Sequence, residues 1–205
     1  EYGLGDGVSF WTATNIYVTP TTLSGITLNF LMSLSGGLLA GYWISKGDPF
    51  WTYSGGLAGI ITASAGNDLY HPIQSMIIGG LGTMIAYKLH YWVENKFKID
   101  DAVGAVAVHG YAGVVGLIIC GFVLWGFPSS GYDGLGYAAI NPVGMIIGAF
   151  IMFVVLGFIP GYVIAKILHA AGKLRIPREV ELAGLDYNIM EAASKDEKAV
   201  SSSNR

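Results

Sequence analysis

The sequence predicts an all-α integral membrane protein with about five transmembrane helices. Hydrophobic residues make up 53% of the chain and charged residues only 12%, whereas an average soluble domain has roughly 25% charged residues. The mean hydropathy is +0.53, and the apolar residues are gathered into long stretches separated by short polar segments. A chain of this composition has too few polar groups to cover its apolar surface in water, so we expect it in a lipid bilayer.

Five apolar stretches are the predicted membrane spans. Crossing the hydrocarbon core takes roughly 20 apolar residues in a helix, and four of the stretches reach that length. The second stretch is shorter and rich in glycine, which favours either burial among other helices or a re-entrant segment. The predicted spans, in chain order, are residues 23–45, 51–66, 72–93, 102–126 and 139–168.

The positions of Lys and Arg predict the orientation, because cytoplasmic loops are enriched in these residues. With five spans and the N-terminus outside, all 11 Lys and Arg residues fall on the inner side. The outer segments, residues 1–22, 67–71 and 127–137, contain neither. A re-entrant second stretch would place Lys46 opposite the other basic residues. We therefore predict five complete crossings, with the C-terminus inside.

The two ends of the chain differ in composition from its middle. Residues 1–22 mix Gly, Thr and aromatic residues, which predicts an extracytosolic N-terminal loop. Residues 169–193 form a predicted cytosolic segment with enough Leu, Val and Met to dock against the bundle. Residues 194–205 are rich in Ser and charged residues, and this composition predicts a disordered tail.

Several function classes are not supported by the sequence. The net charge is −3 and no basic residues cluster into a phosphate-binding face, so we expect no nucleic-acid partner. Neither a catalytic triad order nor a carboxylate pair, a Cys-x-x-Cys motif or a phosphate-binding loop is present. We therefore predict no enzymatic activity, no metal and no cofactor. A haem held between His90 and His109 has no spacing rule in its favour, and Cys120 is expected to be a packing residue.

A few polar residues lie within or beside the predicted spans. His109 is the ionisable side chain that lies well inside a predicted span, about 10 Å along the helix of residues 102–126 at 1.5 Å per residue. Ionisable groups at this depth are costly and usually functional. The imidazole either serves a function, such as binding an amine, or simply donates to a carbonyl of a neighbouring helix. His90 is expected to extend towards water, whereas Asn29 and Asn141 are expected to form interhelical hydrogen bonds or, as an alternative, to line a pore.

Small residues recur four positions apart in four of the stretches. This spacing lets helix backbones approach closely, so it predicts a tightly packed bundle without indicating a function. The positions are Ser33, Gly37 and Gly41, Gly55 and Gly59, Ala112 and Gly116, and Gly144 and Gly148.

Three motifs together resemble the Amt/Mep/Rh family of ammonium transporters. Residues 99–116 contain paired acids, then Val-His-Gly around His109, then Gly-Val-Val-Gly, and are similar to the signature of the family's tenth helix. Residues 54–59, Ser-Gly-Gly-Leu-Ala-Gly, are similar to its eighth helix, and residues 174–186 resemble the cytosolic tail after its eleventh helix. The motifs occur in the family's order, and the resemblance covers residues 23–186.

The resemblance implies that the chain corresponds to the seventh to eleventh helices, which form the C-terminal half of an inverted-repeat bundle. In this family two histidines line a narrow hydrophobic path for ammonia at the interface of the halves, and His109 matches the second of them. A dry path excludes ions because transfer of a bare ion into hydrocarbon is very costly. The first histidine and its half of the pore would come from a second chain or from a missing N-terminal half. Family members are trimers, so the resemblance also implies an oligomer or a subunit of a membrane complex.

Two departures from the family pattern keep further functions open. Where the family has an acidic residue five positions before the pore histidine, this chain has Gly104. In the tail, the family's His-Gly-Glu is replaced by Ile189, Met190 and Glu191. The main prediction is half of an ammonium/ammonia channel that is completed by other polypeptide. The alternatives are a non-conducting structural or accessory subunit of a larger membrane complex, and a sensor in which bound ammonium alters the tail.

Overall fold

All regular secondary structure in the described part of the chain is helical. The computed structural model describes residues 21–127 and 139–184. The chain divides into two compact units, Glu1–Val154 and Val155–Arg205. The predicted outer loop over residues 1–20, the departures at Ile189 to Glu191 and the predicted disordered tail lie outside the described residues.

Helices occupy each of the five apolar stretches. Two of the stretches contain a π-helical segment, in which backbone hydrogen bonds run from residue i to residue i+5. The bounds are α1, Leu23–Ile44; α2, Pro49–Ala63, followed by a 3₁₀ turn at Ser64–Gly66; α3, Pro72–Phe97; a π-helix at Val106–Tyr111 followed by α4, Ala112–Val123; α5, Pro142–Phe150; a π-helix at Ile151–Phe158; α6, Ile159–Ala170; and α7, Arg178–Ala183.

Side-chain caps define where the long helices begin. The side chains of Thr22, Asp48 and Asn141 accept hydrogen bonds from the backbone N–H three residues later, at 3.0, 3.1 and 2.7 Å. These bonds satisfy N–H groups that have no partner within the helix. Proline starts α2, α3 and α5, where its missing N–H has no cost. The expectation that Asn141 bonds to another helix was wrong, because its amide caps its own.

Glycines bring α1, α2 and α3 into backbone contact in the first unit. A Cβ built at Gly37 would overlap the Gly55 carbonyl oxygen, and one at Gly36 would overlap the Met76 carbonyl oxygen. The close helix packing predicted from the small-residue repeats that include Gly37 and Gly55 is therefore confirmed. By contrast, a Cβ at Gly148 would meet nothing within 4 Å among residues 21–127 and 139–184. The same spacing in α5 thus marks no close helix contact within the described residues.

In the part of the chain that the structure describes, three helical stretches are long and apolar enough to cross a membrane: Leu23–Ile44, Val106–Val123 and Pro142–Ala170. The α2 helix, with 15 residues, is shorter than a full crossing requires. Large apolar side chains on α1, among them Leu39 and Trp43, lie exposed, as expected for a surface in contact with lipid. The all-α integral membrane fold is confirmed, whereas the bounds of each crossing and the orientation stay predictions.

The second unit contains α6 and α7. In α6 the ammonium group of Lys166 lies over the Tyr162 ring, 5.4 Å from its centroid, which is a favourable cation–π distance. Arg175, which precedes α7, donates from Nη2 to Oε1 of Glu181 within α7, at 2.5 Å. Both contacts are local in sequence.

Candidate functional site

His109 lies in the π-helical segment Val106–Tyr111, which leads directly into α4. Segments of π-helix are rare and occur frequently at functional sites, because the extra residue per turn redirects side chains. The segment was not predicted from the sequence. It contains His109, the histidine that the resemblance places on the pore.

One face of this helix is buried against the rest of the first unit. Val108 and Ala112 are 4% and 0% exposed and pack with Ala58 of α2 and Ala86 of α3. Alanines at the contact let the three helices approach closely. The backbone that carries His109 is therefore fixed by packing on both sides of the histidine.

The His109 side chain itself is exposed on the surface of the first unit. Val106, three residues earlier, is 52% exposed, and the Phe153 ring packs against Gly113, four residues later. In the described residues His109 has no hydrogen-bond partner. The structure therefore does not show the simpler alternative, in which the imidazole bonds to a carbonyl of a neighbouring helix.

Asp101 holds the N-terminus of the helix that carries His109. Its two carboxylate oxygens accept hydrogen bonds from Val106 N at 3.2 Å and from Ala107 N at 3.0 Å. The connecting turn is closed by Gly104 N, which donates to the Asp101 carbonyl oxygen at 2.8 Å. A carboxylate at this end of a helix is also favoured by the helix dipole.

Gly104 occupies a backbone conformation that favours glycine over the family's acidic residue. Its φ is +65°, in the left-handed region that side chains other than glycine rarely adopt. A Cβ at this position would also lie 3.1 Å from the Phe50 ring. An acidic side chain at Gly104 would therefore strain this turn.

His90 lies behind Asp101, inside the unit. Its Nδ1 is 3.6 Å from Asp101 Oδ2, and its Nε2 is 3.8 Å from Glu94 Oε2. The residue is 9% exposed, and its ring stands edge-on to Trp51, with centroids 5.1 Å apart. The expectation that His90 extends towards water was wrong, because the aromatic side chains around it enclose the ring. Among the described residues, no group of three or more His, Cys, Asp and Glu side chains is placed to hold a metal ion.

A second polar cluster lies near the start of α3, in the loop that precedes it. Asn29 Nδ2 donates to the carbonyl oxygens of Asn67 and Tyr70, at 2.8 and 2.7 Å. Asn29 is 4% exposed, so it connects α1 to this loop and does not line an open path. Burial also raises the pKa of the Tyr70 hydroxyl well above its usual range, which keeps the phenol neutral.

Comparison with known families identifies the class of protein. The model of the Ammonium Transporter Family matches residues 7–194, which is most of the chain. The chain belongs to the ammonium transporter family. This confirms the resemblance drawn from the motifs around His109.

Individual relatives show how much of a transporter the chain represents. It is 32% identical to ammonium transporter Amt1 of Methanocaldococcus jannaschii over 86% of its own length and 43% of the relative's. For Amt2 of the same organism the identity is 38%, over 76% of this chain and 35% of the relative. For the ammonium transporter of Bacillus subtilis the values are 30%, 82% and 44%. The chain thus spans less than half of each of these curated relatives, as the partial resemblance predicted.

Proposed function

We propose that this chain forms one wall of an ammonia-conducting pore, with His109 on the conduction path and the facing wall supplied by other polypeptide. The family supports ammonium transport in general. The observation that favours His109 in particular is its exposure, because the residues directly before and after it in the helix are buried or half-buried. The imidazole can therefore meet a substrate on the side of the segment that no other described residue covers.

The energetics of the bilayer support a covered position for His109. A polar side chain without a hydrogen-bond partner in an apolar medium costs about 2–7 kcal/mol. In the middle of a strongly apolar helix this cost is avoided if the imidazole faces protein or a small polar solute. Further polypeptide against this face would enclose a narrow path with the imidazole on its wall.

The chemistry of a neutral imidazole suits ammonia. One ring nitrogen donates a hydrogen bond and the other accepts one, and ammonia is both an acceptor and a donor. Apolar neighbours such as Val106 and Phe153 would exclude water from the path. An ion would then have to shed its hydration shell at a large cost, whereas a neutral molecule would not. The selectivity would therefore favour ammonia over ammonium and other cations.

A second candidate is a non-conducting subunit of a larger membrane complex. It is favoured by Gly104, whose positive φ and proximity to Phe50 disfavour the family's acidic side chain at this position. If conduction requires that carboxylate, the chain would retain the packing of a transporter without its activity. The two candidates differ in whether the assembled protein takes up methylammonium.

The test is uptake of labelled methylammonium by the native assembly reconstituted in liposomes. We expect His109→Ala to lower the uptake rate at least about tenfold, since losing one hydrogen bond of about 1.5 kcal/mol on the path corresponds to that factor. His169→Ala is the matched control, because His169 is also exposed but lies near the end of α6. Unchanged uptake in His109→Ala would exclude His109 from the path. No uptake by the wild-type assembly would instead favour the non-conducting subunit.

A further inference from the structure

The side chain of Asp101 connects two separate parts of the first unit. It accepts the N–H groups of Val106 and Ala107, one on each carboxylate oxygen. On its other side it faces His90 Nδ1 of α3, 3.6 Å from Oδ2. The two side chains are 15% and 10% exposed, so the contact is largely shielded from water.

The His90 ring has little freedom to turn away from Asp101. Trp51, which is 1% exposed, and Tyr91 both stand edge-on to the ring, with centroids 5.1 and 5.0 Å from it. Trp51 Nε1 donates to the Tyr91 hydroxyl at 3.0 Å, which holds these two aromatic side chains together. The imidazole is therefore fixed with Nδ1 towards the Asp101 carboxylate.

Within the described residues His90 Nδ1 is buried and has no hydrogen-bond partner. At 3.6 Å its separation from Asp101 Oδ2 is a few tenths of an ångström beyond a hydrogen bond. A buried polar nitrogen is strongly favoured to find a partner, and the carboxylate is the acceptor in front of it. A proton on Nδ1 lets His90 donate to Asp101 after a small side-chain adjustment.

We propose that His90 and Asp101 form a positioning pair for His109. His90 orients the Asp101 carboxylate, and the carboxylate fixes the first N–H groups of the π-helical segment on which His109 sits. The chain of contacts runs from α3 through one carboxylate to the backbone two residues before His109. Neither His90 nor Asp101 touches the proposed path, so the pair acts through the placement of His109.

Amide hydrogen exchange in the assembled protein tests the pair directly. His90→Leu removes the donor, whereas His90→Asn keeps a side-chain N–H close to the position of Nδ1. We expect exchange of the Val106 and Ala107 amides to rise about tenfold or more in His90→Leu and to return close to the wild-type rate in His90→Asn. Glu94→Gln is the control, because Glu94 is 45% exposed and contacts His90 only at Nε2. It should leave exchange unchanged.

Unchanged exchange at these two amides in His90→Leu would overturn the proposal. If His90→Leu does not assemble, His90→Gln replaces it, because its longer side chain carries the N–H near the Nε2 position and not near Nδ1. Equal exchange in the Asn and Gln variants would then overturn the proposal equally. Loss of protection in Gln but not in Asn would support it.

A second measurement, which rests on the proposed function, is methylammonium uptake. We expect the maximal rate to fall in His90→Leu and to recover in His90→Asn. A loss that His90→Asn does not recover would contradict the positioning role. If the wild-type assembly takes up no methylammonium, the proposed function fails while the exchange experiment still tests the pair. The two failures are therefore distinguishable.

Discussion

Replacement of Asn29 by leucine removes the amide group that joins α1 to the loop before α3. Its Nδ2 donates two hydrogen bonds, at 2.8 and 2.7 Å, to the carbonyl oxygens of Asn67 and Tyr70. Asn29 is 4% exposed, so water does not replace the lost donor. Leaving a buried polar group unsatisfied costs about 1–3 kcal/mol. Two such groups, offset by about 1 kcal/mol of added apolar burial, give an expected loss of roughly 1–5 kcal/mol.

The assay is reversible unfolding of the detergent-solubilised protein, compared with a control on the same helix. In Ser35→Ala the lost bond is a hydroxyl donating to the Leu31 carbonyl oxygen of its own helix, at 2.8 Å on the exposed side. That variant should change the free energy of unfolding by less than about 0.5 kcal/mol. Asn29→Asp keeps the side-chain shape but loses the donor, so it should destabilise as well. Wild-type stability in both Asn29 variants would refute the role assigned to the amide.

Two further predictions concern helix packing and helix caps, and both are measured by thermal unfolding in detergent. Gly37→Ala should destabilise by about 1–3 kcal/mol because its Cβ would overlap the Gly55 carbonyl oxygen. Gly148→Ala, with no described residue within 4 Å of its Cβ, should be neutral or stabilising, and equal effects of the two would contradict the packing. Asn141→Ala should cost about 1 kcal/mol through loss of the α5 cap. Asn141→Asp should retain most of that stability, and a full loss in this variant would show that capping is not the reason.

Features of the fold that depend on a single segment of the chain could be predicted from the sequence. The apolar stretch around α1 is long enough to indicate a membrane helix by itself. Small-residue spacing also predicted close helix packing, which the structure shows where Gly37 meets Gly55. The same spacing at Gly144 and Gly148 marks no such contact, because spacing shows only that a helix can approach a neighbour and not that a neighbour lies there.

The polar residues were harder to interpret, because their partners are set by tertiary structure. Asn141 was expected to bond between helices but caps α5, although its position directly before Pro142 is typical of a cap and could have indicated one. His90 was expected to reach water, but its burial depends on Trp51, which is distant in sequence. The motif around His109 identified the segment. Its π-helical geometry and its support by Asp101 are visible only in the three-dimensional structure.

The measurement that tests the central claim most directly is the distance from His109 to whatever faces it in the assembled protein, determined by electron cryomicroscopy in a lipid environment. The proposed pore predicts a polypeptide wall across a narrow apolar gap, with a polar group in hydrogen-bonding reach of the imidazole, directly or through one small molecule. Acyl chains packed against His109, or bulky side chains filling the gap, would contradict it.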